Sequence, residues 1–141
     1  MIKDRTVQDY IKESNLVKPI EHIVFSFKYV SSNKNYGLSA LRKENRALFP
    51  LIKRLNELSQ KDILSARFEG KQQGCEPLPY NNLDNRLKQT LSNVPIIEKN
   101  STLSVFRFGS NDYRLICKSD ACHSNILYIL AFDLNFNAYA H

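Results

Sequence analysis

Ile126-Leu127-Tyr128-Ile129-Leu130-Ala131-Phe132-Asp133 carries no charge before its last residue. It is too short for an ordinary helix and rich in residues that suit a pleated surface, so it reads as a strand buried on both faces. Two candidate strands precede it, 102–108 and 112–118, with Ser110-Asn111 at the hairpin turn between them. Further upstream, residues 22–30 alternate so that Ile23, Phe25, Phe27 and Tyr29 point one way, which predicts a strand with an aromatic inner face. Between these lies the longest helical pattern. It opens at Ser39, with Leu41, Leu48, Leu51, Ile52, Leu55 and Leu58 at helical spacing and Pro50 as an interruption; two helices or one kinked helix fit equally well. Ser59-Gln60-Lys61-Asp62 resembles a helix-start box for Ile63 and Leu64. Gly70 and Gly74 bracket a loop, Pro77 and Pro79 keep the next stretch extended, and Leu83, Leu87 and Leu91 suggest a short helix. A further short helix is expected after Thr6, with Val7, Tyr10 and Ile11 on one face, ending before Pro19. This order implies an α+β fold, an antiparallel sheet of about four strands with helices packed on one face.

At 141 residues with 43% apolar content, seven Tyr and eight Phe, the composition is that of one globular domain able to bury its own core. No repeat or internal boundary is visible. No apolar run reaches the length of a membrane span, and the first residues lack a secretory leader's apolar stretch. Three cysteines, odd in number and irregularly spaced, fit reduced thiols. A cytoplasmic protein with no membrane partner is expected. The net charge of +6 is unevenly placed: residues 101–141 balance three basic residues against three acids, so the excess lies in residues 1–100. It is densest in 42–71, where Arg42, Lys43, Arg46, Lys53, Arg54, Lys61, Arg67 and Lys71 face Glu44, Glu57, Asp62 and Glu69. Such a surface suits RNA phosphates or an acidic protein partner, or is simply a solvated helix face.

Several short motifs follow one another along the chain. They are Leu55-Asn56-Glu57-Leu58, Phe68-Glu69-Gly70-Lys71, Glu76-Pro77-Leu78, Tyr113-Arg114-Leu115-Ile116, and a tail with Tyr139 and His141. In this order they resemble the RelE/YoeB family of mRNA interferases, toxins of the RelE/ParE superfamily. The likeness covers roughly residues 22–141 and leaves residues 1–20 as an N-terminal extension. Pro79 stands where the family often has a basic residue. The resemblance implies an endoribonuclease that cleaves mRNA at the ribosome without a cofactor or metal and is held inactive by a protein antitoxin. Its catalytic trio maps onto Glu76 as base, Arg114 as phosphate clamp and His141 as acid. Internal attack on RNA needs those three roles: removal of the 2′-hydroxyl proton, stabilisation of the crowded phosphate, and protonation of the departing 5′-oxygen. His141 also carries the chain's last carboxylate beside its own ring, which favours the imidazolium form that a general acid needs.

Arg107, on the strand next to Arg114, is expected to share a phosphate site with it, and Arg67, Lys71 and Tyr139 complete the expected RNA-binding set. Phe106, Phe108 and Tyr113 are aromatics that could stack on bases, although most are expected in the core. Cys117, Cys122 and His123 supply at most three zinc ligands, with Cys75 or His22 as a conceivable fourth, and no metal is expected. A cysteine nucleophile paired with His123 lacks a third, orienting group. With only four glycines, a phosphate-cradling loop is not foreseen. The alternative from another class is a non-catalytic binding or inhibitor protein on the same fold.

Overall fold

A computed structural model describes residues 21–69 and 74–140. The helix expected after Thr6, Lys71 of the RNA-binding set and His141 of the catalytic trio fall outside the described residues. β1 (Val24–Ser26) leads into α1 (Leu38–Lys43), a short 3-10 turn, α2 (Leu48–Ser59) and α3 (Ile63–Arg67). β2 (Cys75–Pro79) and α4 (Asn85–Leu91) follow, and then β3 (Thr102–Phe108), β4 (Tyr113–Ser119) and β5 (Ile126–Asp133).

The strands form one five-stranded sheet in the order β1-β5-β4-β3-β2. Three pairings are antiparallel, but β1 joins β5 in parallel, with Val24 opposite Ile126. The sheet is therefore mixed and has one strand more than expected. The added strand is β2, read from the sequence only as an extended stretch. Pro77 and Pro79 lack an N–H, but on an edge strand one side of the backbone needs no donor. β1 is also shorter than the alternation over 22–30 suggested. Ile23 and Phe25 do face the core, whereas Phe27 is exposed and Tyr29 packs on Tyr128 across the other face.

β5 is buried on both sides, as its apolar run requires. Leu127, Ile129 and Phe132 enter one core, while Leu130 and Ala131 enter the other. Two successive residues share a face because the register slips here. Ile116 pairs with Ala131 and Cys117 with Ile129, so Leu130 is the extra residue of a β-bulge.

The first core lies under α1, α2 and α3, with Leu41, Leu51, Leu58 and Ala66 against Phe106, Leu115 and Phe132. The second lies under α4 and the chain's last described residues, with Leu87, Leu91, Tyr36 and Ala138 against Leu103, Val105 and Ile116. Helices thus cover both faces rather than one. Spaced leucines in α4 specify a buried stripe, but not the side of the sheet that buries it. Each fully buried Leu, Ile or Phe stabilises the fold by about 1.5–3 kcal/mol.

Pro50 does not kink the long helix. It sits in the first turn of α2, where its missing N–H costs no intrahelical bond, and the break comes earlier, at Glu44. Leu51, Leu55 and Leu58 line the inner stripe of α2, whereas Leu48 and Ile52 are exposed on its flank. The start of α3 is capped by Asp62 itself, whose carboxylate accepts the Ser65 N–H at 2.7 Å. Ser59 instead donates to the Leu55 carbonyl. At the β3–β4 hairpin Gly109 has φ 62°. A Cβ there would lie 2.6 Å from the Tyr113 ring, so the turn demands glycine.

Candidate functional site

The chemistry gathers where the tail crosses the second face of the sheet. Asp133, the last residue of β5, is fully buried, and its two oxygens accept the N–H groups of Asn137 (3.1 Å) and Ala138 (3.2 Å). Phe136 takes φ 58° and turns the chain. Beyond it, the Asp84 N–H donates to the Ala138 carbonyl at 2.6 Å, and Leu83 forms a bridge with Tyr139. Tyr36 adds a bond from its hydroxyl to the Asn137 carbonyl at 3.1 Å. A buried carboxylate and two strand-like contacts therefore lay residues 137–139 back over the sheet.

This path carries Tyr139 to Glu76. Glu76 lies on β2 opposite Val105, a second-core residue, so its side chain rises from the tail-covered face. The Tyr139 hydroxyl donates to Glu76 Oε1 at 2.8 Å. Burial first, and then the bond to Glu76, hold the Tyr139 hydroxyl above its ordinary pKa, with Arg114 pulling the other way. Tyr139 is thus a protonated donor at neutral pH.

Arg114 completes the group. It is 5% exposed, and its Nη1 donates to the carbonyls of Asn111 (2.6 Å) and Tyr113 (3.1 Å). Its guanidinium carbon sits 4.4 Å from the centre of the Phe136 ring. Nε is buried with no hydrogen-bond partner, and among the described residues no carboxylate forms an ion pair with this cation. Asp133 lies opposite it in register on β5, and a guanidinium has five N–H donors with which an anionic group could still be met. Glu76 and Arg114 stand two strands apart and two residues out of line, roughly 12 Å between their Cα positions, with Tyr139 reaching both.

The other expected residues fare differently. Arg107 pairs with Arg114 in register, as the hairpin reading required, which puts the two side chains on the same face of the sheet, and the residue also borders a cleft beside α2. Arg67 is not brought to this cluster: its Nη2 donates to Ser119 at 3.3 Å on the helix-covered side. Three cations of 42–71 are also committed, Arg46, Arg54 and Lys61. Glu69 binds Arg54 at 2.7 Å and also Lys61, and Glu44 binds Arg46 at 2.9 Å. Burial would raise the Glu69 carboxyl, but the hydrogen bonds from Lys61 and Arg54 outweigh it and hold it below its ordinary value. Phe106 and Phe108 are core residues and not available for stacking, and Tyr113 packs on Phe108 at 5.3 Å.

No group of three or more His, Cys, Asp or Glu suited to a metal occurs among the described residues. Cys117 is buried in β4, while Cys122 and His123 lie exposed on the turn after it. There Asp120 receives the Tyr128 hydroxyl and the N–H groups of Cys122 and His123, which holds its carboxyl low. Burial pushes the Cys75 thiol up to about 11 and Cys117 higher still, so neither supplies a thiolate at neutral pH. Among the described residues no helix is long and apolar enough to cross a membrane.

Asp133, Phe136 and Asn111 were given no site role from the sequence, although Asn111 was placed at the hairpin turn. The one available signal was Asp133, a carboxylate ending an otherwise apolar strand, where a buried acid must find donors. The chain is an α+β protein with a mixed five-stranded sheet and a carboxylate, a phenol and a buried guanidinium at one end of it. Comparison with protein-family models, with curated proteins and with solved structures finds no match.

Proposed function

We propose that this protein is an endoribonuclease that cleaves mRNA at the ribosome by general acid–base chemistry, and that a protein antitoxin holds it inactive. The observation that carries the nuclease reading is Arg114: a buried cation with no carboxylate partner among the described residues, beside a hydrogen-bonded Glu76–Tyr139 pair. The ribosome and the antitoxin rest on the motif order alone.

Glu76 takes the proton of a 2′-hydroxyl, and the freed oxygen attacks the adjacent phosphorus. The bond from phosphorus to the 5′-oxygen breaks, leaving a 2′,3′-cyclic phosphate on one fragment. Arg114 neutralises the charge on the crowded phosphate. His141, by resemblance, gives the proton that turns the departing oxygen into a 5′-hydroxyl. Tyr139 fixes one oxygen of Glu76 and so orients the base.

Mapping of mRNA 5′ ends after brief induction tests this. Wild type is expected to create new ends within translated regions. Arg114→Ala should reduce them by a factor on the order of 10²–10³, the usual loss for one transition-state donor. Glu76→Gln, nearly the same shape, should lose them as well while keeping its fold. New ends that persist undiminished in Glu76→Gln would sink the assignment. No new ends from a folded wild type, with no antitoxin present, would leave a binding protein on this fold.

A further inference from the structure

Phe136 is an unexpected side chain for the backbone that carries it. It takes φ 58°, in the left-handed region where a bulky side chain is rare and strained. The turn is held from both ends. Leu134 before it is buried in the first core, and the N–H groups of Asn137 and Ala138 after it donate to the Asp133 carboxylate at 3.1 and 3.2 Å. Nor is the ring sunk into a core: 44% of the residue's surface is exposed with its protein contacts in place. Glycine would adopt this backbone without strain, and asparagine with little. Neither the turn nor the packing therefore asks for phenylalanine here.

What the ring does meet is Arg114. The guanidinium carbon lies over it, 4.4 Å from its centre. A guanidinium is planar and its donors point outward in that plane, so a ring on its face leaves the N–H edge to an anion. Arg114 Nε has no hydrogen-bond partner among the described residues. Arg107 stands beside Arg114 in register on the same face, and its Nε has none either. A phosphate at these donors brings the sugar and base joined to it within reach of the ring. Aromatic rings hold single-stranded bases by stacking, whatever the sequence.

We propose that Phe136 is the base-stacking residue of this site, its exposed surface taking the base of the nucleotide whose phosphate Arg114 holds, so that the site takes single-stranded RNA. This rests on the reading that an RNA phosphate meets Arg114; it does not require that the RNA be cut.

The chain contains no tryptophan, so Phe136→Trp in the intact protein places a single fluorescent reporter in the site. The probes are a hexaribonucleotide of mixed sequence, 2′-O-methylated throughout so that it binds but cannot be cut, and an abasic strand of equal length and charge. The hexaribonucleotide is expected to quench the tryptophan, and the abasic strand to bind without quenching. In anisotropy titrations with labelled strands, Phe136→Gly, whose backbone suits the turn, should weaken hexaribonucleotide binding roughly 5- to 100-fold. Its affinity for the abasic strand and its slope of log affinity against log salt should stay as in wild type, because no phosphate contact is lost. Phe136→Leu, which keeps an apolar cover on Arg114 but offers no ring, should lose as much as Phe136→Gly. A ring that merely positioned Arg114 would weaken both strands together and be replaced by leucine; that outcome overturns the proposal. So does a hexaribonucleotide that leaves the tryptophan unquenched, or that wild type does not bind. Cleavage of mRNA without such quenching defeats this inference and spares the nuclease; quenching without cleavage does the reverse.

Discussion

The two faces of the sheet are sealed by comparable apolar cores but finished differently at their polar margins. On the helix-covered face, Arg54 and Lys61 close on Glu69, so cations and carboxylate satisfy each other. On the tail-covered face, Arg114 is held by backbone carbonyls and the Phe136 ring, and no described carboxylate pairs with it. The buried charges of the first group satisfy one another and serve stability. The other face keeps a buried cation, with Asp133 opposite it in register, beside a carboxylate that accepts a phenol's hydrogen bond. Burial of the cation, rather than charge density, distinguishes the candidate site, since Arg42, Lys43, Arg46, Lys53 and Arg67 of the denser basic segment lie exposed.

The largest expected effect tests the stable face. Leu58→Ala removes a fully buried side chain from the first core and should cost about 2–5 kcal/mol in urea unfolding. It should leave 5′-end cleavage intact wherever the protein remains folded. A comparable loss of cleavage per folded molecule would break the separation of the two faces.

Asp133→Ala comes next and strikes the tail. It leaves the Asn137 and Ala138 N–H groups without their buried acceptor, at a cost of about 1–3 kcal/mol. Amide exchange of residues 137–139 should quicken, and the Tyr139–Glu76 bond should loosen with it. A tail that stays protected in this variant would show that Asp133 does not organise it.

Glu69→Gln sharpens the comparison through pH. The folded-state carboxyl lies below its ordinary value of 4.5, so its contribution to stability is complete above that pH and is lost as pH falls through the folded value. The gap in urea midpoint between wild type and Glu69→Gln should therefore be widest near neutrality and close in acid. A gap that widens in acid would reverse the sign and refute the ion-pair account. The smallest effect is Arg46→Ala: it breaks a pair open to water and should leave the urea midpoint where it was.

Much of this was readable beforehand, and for identifiable reasons. Strands β3 and β5 follow from alternation and from an uninterrupted apolar run, both local properties of the backbone period. The leucine spacing of α2 and α4 likewise marks helices with one buried stripe. Four things were not readable: the parallel pairing of β1, the face that receives α4, the five-strand count, and the exposure of Leu48 and Ile52. Each depends on which distant element arrives alongside, and periodicity holds no record of that.

The sequence by itself determined the helices α2 and α4, the strands β3, β4 and β5, the two-sided burial of Ile126–Phe132 and the location of the charge excess before residue 101. Those properties follow from neighbours a few positions apart. Only the tertiary structure decided that Glu76, Arg114 and Tyr139 meet, that Arg67 is turned to the opposite face, and that Asp133 anchors the tail joining them. Glu76 and Tyr139 are 63 positions apart in the chain, and only strand register and a buried carboxylate bring them to 2.8 Å.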